Sequence, residues 1–148
     1  MTEINSHTRD SYCTFCVDDL LFGVEVQEVQ EVIRPQRTTR VPLAPTMIHG
    51  LMNLRGQIVC ALDLRQRLGL AQDRDLDQAM NVVIRSAEGP VSLLVDEIGD
   101  VVEVNRDRFE PPPETLQGDQ RDLIRGAFKL DERLLLILDT ELVLQIAA

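Results

Sequence analysis

Residues 48–69 read IHGLMNLRGQIVCALDLRQRLG, and this stretch decides the fold. The apolar run 51–54 meets a second run, 58–64, across Arg55-Gly56, and a Gly-containing pair between two apolar runs signals a β-hairpin. Asp63 is a residue type that caps helix starts, and it precedes a short helical run through Leu64 and Leu68. Gly69 then supplies the residue that best tolerates the left-handed conformation at a helix end. The order is strand, turn, strand, capped helix. Shifting the chain by 76 positions without gaps places Ile48, Gly50, Leu54, Leu62 and Asp63 on Ile124, Gly126, Leu130, Leu138 and Asp139. The matches fall at a strand start, a strand end and a helix cap, where one backbone plan needs the same residue types. Gly50 and Gly126 are read as backbone residues serving a strained turn or a close approach of two chain segments.

The flanking sequence has the same grammar. Residues 12–17 and 20–26 form a hairpin over Asp18-Asp19, the second run alternating Leu20, Phe22, Val24 and Val26 against Leu21, Gly23 and Glu25. Val26, Val29, Val32 and Ile33 recur at three- and four-residue spacing, which predicts a short amphipathic helix ending by Arg34 because Pro35 follows. Its polar face carries Glu28 and Glu31. Residues 80–85 and 91–95 form a further hairpin turning at Glu88-Gly89-Pro90. The fold expected is mainly β, with two small barrel-like halves at about 12–70 and 80–146 and a few short helices. Closure into barrels hides strand edges that invite aggregation. Residues 71–79, polar and acidic, read as a linker, and the polar residues 1–11 as a disordered tail without the apolar run of a secretory signal. Whether strands exchange between the halves is left open by this pattern.

The chain has 148 residues, 44% hydrophobic and 27% charged, which suits one folded domain in the cytoplasm. Its net charge of −10 disfavours nucleic acid as a ligand. No run approaches the length of a membrane span, so any membrane link comes through a partner. Candidate chemistry is sparse. Cys13 and Cys16 have CxxC spacing, but they lie within an expected strand, where residues three apart point to opposite faces. With Cys60 they make three cysteines, read as reduced thiols. His7 and His49 are the two histidines, too few for a metal set. Ser11, Ser86 and Ser92 stand in no nucleophile-elbow pattern, and no glycine-rich phosphate cradle occurs. The 25 acidic residues make chance carboxylate pairs abundant. With 3% aromatic residues and no Trp, stacking platforms are few. Pro111-Pro112-Pro113 reads as a stiff loop. No catalytic residue, metal or cofactor is expected, and a surface for protein partners remains.

The run Gly50-Leu51-Met52-Asn53-Leu54-Arg55-Gly56, then Ile58-Val59 and Leu62-Asp63-Leu64-Arg65, resembles the signature of the CheW-type coupling proteins of bacterial chemotaxis. Val29-Gln30-Glu31-Val32-Ile33, Val41-Pro42 with Ala44-Pro45, Leu94-Val95-Asp96 with Asp100-Val101, and Pro113-Glu114 extend the resemblance over about residues 12–146. It implies a single CheW-like domain of two five-stranded Src-homology-3-like barrels. It also implies a non-enzymatic adaptor with two partners, the cytoplasmic tip of chemoreceptors and the regulatory domain of the histidine kinase CheA. The groove residues it suggests are Val29, Glu31, Asn53, Leu54, Arg55 and Gly56, with a Glu31–Arg55 ion pair shaping the wall. It assigns no kinase-facing residues. Family members usually carry proline where this chain has Cys60, which points to a different strand end or an altered partner choice. A CheW-like adaptor of a type IV pilus or second-messenger pathway is the alternative, and a small β-barrel enzyme a more remote one.

Overall fold

The computed structural model describes residues 9–70 and 75–145, which form ten strands in two five-stranded sheets. In chain order the strands are β1 (Arg9–Val17), β2 (Leu20–Glu25), β3 (Val29–Ile33), β4 (Ile48–Leu54), β5 (Gln57–Asp63), β6 (Met80–Ile84), β7 (Val91–Val95), β8 (Glu97–Asn105), β9 (Ile124–Lys129) and β10 (Leu134–Leu138). Three short helices are α1 (Leu64–Arg67), α2 (Asp119–Asp122) and α3 (Thr140–Leu144). One sheet runs β8-β1-β2-β10-β9 and the other β3-β6-β7-β5-β4. Both are mixed sheets with two edges, consistent with Src-homology-3-like barrels that are not fully closed.

The internal repeat is a structural repeat. Ile48 and Ile124 open β4 and β9. Asp63 and Asp139 both cap helices, each side chain accepting a backbone N–H at 3.2 Å, from Gln66 and Leu142 respectively. The halves 12–70 and 80–146 are not themselves the two sheets, however. The β1–β2 hairpin joins β8, β9 and β10, while the β6–β7 hairpin joins β3, β4 and β5. Each half therefore lends a hairpin to the other, stitched in by the parallel ladders β10–β2 and β5–β7. Local periodicity reports which residues form a strand and carries nothing about which half that strand pairs with.

The exchange explains the long apolar runs. Leu136 and Leu138 of β10, Phe22 and Val24 of β2, Val82 and Ile84 of β6, and Leu93 and Val95 of β7 share one core cluster between the sheets. Their neighbours Leu135 and Ile137 fill the first barrel with Tyr12, Leu21, Val104 and Phe128. Val83 and Leu94 fill the second with Met52, Leu54, Val59 and Ala61. Strands covered on both faces lose the polar alternation of half-exposed ones.

Several expectations are corrected. The amphipathic helix over 26–33 is instead a 3-10 turn, Val26–Glu28, followed by strand β3. β3 pairs with β6 through Glu31↔Val83 and Val32↔Val82, with a register shift between Val29 and Glu31. A bulge breaks the two-residue period, so β-branched residues fell at helix-like spacing. Arg9, Asp10 and Ser11 belong to β1, not to a tail; residues 1–8 lie outside the described part. Of the linker, residues 71–74 lie outside it too, while Leu76 sits in a 3-10 turn against the second barrel's core. Strand β8, exposed along most of its length, gave no periodic signal.

Gly50 and Gly126 are strand residues, not turn residues, and they serve close approach. The segment after β3 crosses β4 at the Thr39↔Leu51 bridge, and the segment after β8 crosses β9 at Glu110↔Ala127. A Cβ on Gly50 would stand 2.6 Å from the Thr39 carbonyl oxygen, and one on Gly126 2.5 Å from that of Glu110.

Candidate partner-binding surfaces

The β4–β5 turn is built by its own backbone. Arg55 and Gly56 take φ of 53° and 87°, the left-handed pair of a tight hairpin, and the Asn53 side-chain oxygen accepts the Gly56 N–H at 2.8 Å. This leaves Arg55 pointing into solvent, and its guanidinium donates to the Glu31 carboxylate. β3 and β4 are the opposite edges of one sheet, so the pair spans the gap between the two edges of a curled, unclosed sheet. The structure thus brings together four of the sequence candidates, Glu31, Asn53, Arg55 and Gly56. Leu54 is corrected: it is buried in the barrel interior, because alternate residues of β4 point inward. Val29 is half-buried and packs against the shared core.

A groove of about 1030 Å³ opens elsewhere, between the outer face of β4–β5 and helix α3. Leu51, Ile58 and Cys60 form one wall, Leu51 and Cys60 being direct cross-strand partners and Ile58 60% exposed. Thr140, Glu141 and Leu144 of α3 form the other, and the β6–β7 turn closes an end. Burial pushes the Cys60 thiol pKa up, which keeps it protonated. Leu51 and Ile58 were legible as strand residues. That α3 would face them was not, since this follows from the exchange of hairpins.

The walls are held by polar links between the two sheets. Arg67 on α1 donates to the carbonyls of Leu142 at 2.7 Å, Val143 at 3.1 Å and Gln145 at 3.3 Å, satisfying the C-terminal end of α3. The Thr140 hydroxyl donates to Glu28 Oε1 at 2.8 Å across the groove. Arg65 lies with only 3% of its side chain exposed, bridging Asp18 of the β1–β2 turn at 2.5 Å and Asp96 after β7 at 2.7 Å.

A second exposed surface lies on the first sheet. The registers Cys13↔Val24 and Cys13↔Val101 put Val101 and Cys13 on the face that carries the shared core, beyond the part the other sheet covers. Val101 is 60% exposed there. For chemistry there is little to build with. Among the described residues no group of three or more His, Cys, Asp or Glu is placed to hold a metal. Asp63, whose pKa burial pushes up, is engaged in capping α1. Among the described residues no helix is long and apolar enough to cross a membrane.

Comparison with known proteins agrees with this architecture. A family model described as CheW-like domain matches residues 11–148. The chemotaxis protein CheW of Bacillus subtilis is 33% identical over 137 residues, covering 93% of this chain and 88% of its own length. That of Helicobacter pylori is 28% identical over 131 residues, covering 88% of this chain and 79% of its own. The protein PilI of Pseudomonas aeruginosa is 26% identical over 75% of this chain and 62% of its own. Among solved structures, the scaffolding protein TtCheW of Thermoanaerobacter tengcongensis superposes with a TM-score of 0.82 over 93% of both chains, at 24% identity, a likeness of fold. Matched along nearly its whole length, and folded into the same pair of five-stranded sheets, the chain belongs to the CheW family.

Proposed function

We propose that this protein is a non-enzymatic adaptor that couples chemoreceptors to the CheA histidine kinase in the cytoplasm, reaching the membrane only through its partners. The observation that carries this reading is the groove between the second sheet and α3, the helix that follows the last strand of the first sheet. An occupant there touches the second sheet and α3 at once, so its binding acts on their relative placement through the Glu28–Thr140 and Arg67–α3 links. The exposed Val101, on the first sheet and outside the groove lining, marks a second, separate contact for the kinase regulatory domain. An adaptor requires two such surfaces. The Glu31–Arg55 pair, with Asn53 and Gly56, lies outside this groove and adds to the receptor-facing surface at the β4–β5 turn.

The test is a pull-down with a receptor signalling-tip fragment and, separately, the CheA regulatory domain. Ile58→Asp is expected to lose the receptor fragment alone, and Val101→Asp the kinase domain alone. Failure of the unmodified protein to bind either partner contradicts the adaptor reading.

A further inference from the structure

The groove is apolar on its β4–β5 wall and acidic around it. Leu51, Ile58 and Leu144 offer an apolar strip, while Glu28, Glu88 and Glu141 line the same space. Among the described residues the one basic side chain lining it, Arg85, is turned to the backbone, donating to the carbonyls of Gln27 at 2.9 Å and Val29 at 2.7 Å. Glu88 and Glu141 make no ion pair among the described residues. Glu28 is half-buried and held in place, its Oε1 accepting from Thr140 and its backbone oxygen from the Arg85 N–H at 2.9 Å. A carboxylate fixed beside an apolar strip is preorganised to receive a cation, since its orientation is already set before the partner arrives.

We propose that the groove selects its occupant by charge: the docking segment is a helix with an apolar stripe and an adjacent lysine or arginine, which Glu28 receives while Glu88 and Glu141 draw it in from the rim. This rests on the reading of the groove as the receptor site, and it adds the partner feature that distinguishes acceptable receptors from others. Rim charges mainly raise the association rate and its salt dependence. A fixed, half-buried charge mainly slows dissociation.

Titration of the full chain with a receptor signalling-tip fragment tests this. Glu28→Gln keeps an acceptor for Thr140 and removes the charge; it is expected to bind about tenfold more weakly, through faster dissociation. Glu88→Lys with Glu141→Lys is expected to slow association and flatten its salt dependence. Glu28→Lys is expected to regain affinity for a fragment whose groove-facing basic residue is changed to Glu. Ile58→Asp separates the two levels. If it abolishes binding while all the glutamate variants bind as the unmodified protein does, charge selection is overturned and the groove reading stands. If Ile58→Asp also binds normally, the groove is not the docking site and both fall.

Discussion

Glu31 and Arg55 sit on opposite edges of one sheet, and their ion pair ties strand β3 to the β4–β5 turn where the curled sheet nearly closes. Arg55 is 68% exposed, so the pair stabilises the fold by only about 0–1 kcal/mol. Arg55 also holds a positive φ, which asparagine tolerates better. Arg55→Asn is therefore expected to melt within a few degrees of the unmodified protein while weakening receptor binding. Melting curves and titration with a receptor fragment check this together. A variant that fails to fold assigns the pair to stability instead.

This pair was legible because both residues fall in recognisable elements, a hairpin turn and the polar face of a segment read as an amphipathic helix ending before Pro35. The expected element was wrong for Glu31, which lies in a bulged strand, yet the pairing holds because a side chain reaches from either. The repeat of Ile48, Gly50 and Asp63 on Ile124, Gly126 and Asp139 was legible since caps and close approaches demand particular residues. The hairpin exchange was not legible, because nothing in Val82 or Phe22 encodes which strand lies alongside. For the same reason the groove's second wall, Thr140 and Leu144, was invisible, and Leu54 was placed on the surface when it fills a barrel.

Arg65 is buried between Asp18 and Asp96. Arg65→Met removes the cation and leaves two carboxylates facing each other, with an expected loss of about 3–5 kcal/mol in urea unfolding. Adding Asp18→Asn and Asp96→Asn should recover much of it. No recovery would show that Arg65 acts through packing rather than charge.

Burial raises the Asp63 pKa above its ordinary 3.8. Below that value the residue is protonated both folded and unfolded and contributes nothing. As pH rises past 3.8 the unfolded chain ionises first, so stability falls until the raised folded value is passed and stays lower above it. Asp63→Asn keeps the helix cap and removes this dependence. Relative to the unmodified protein it should gain stability as pH rises from 4 to 7 in parallel thermal melts. A relative loss over that range would contradict the assignment.

Gly50→Ala and Gly126→Ala each drive a Cβ into the backbone of a crossing segment, at 2.6 Å and 2.5 Å. Each is expected to cost roughly 1–3 kcal/mol, by overpacking at the two related crossings. Denaturant unfolding of the single variants measures it. A neutral result at either site would show that the crossing segment gives way there.

Cys60 lines the groove with its thiol held protonated by burial. In a Cys13→Ser, Cys16→Ser background, iodoacetamide should modify it more slowly than a free thiol, and more slowly still with the receptor fragment bound. Equal rates with and without the fragment would place the fragment outside the groove.

Coupling requires this small protein to hold two partners at once on separate surfaces. It is tested most directly by titrating the CheA regulatory domain into the preformed complex of this protein with a receptor signalling-tip fragment. A ternary complex is expected, with kinase-domain affinity for the Ile58→Asp variant equal to that of the unmodified protein. Displacement of the receptor fragment by the kinase domain would contradict it.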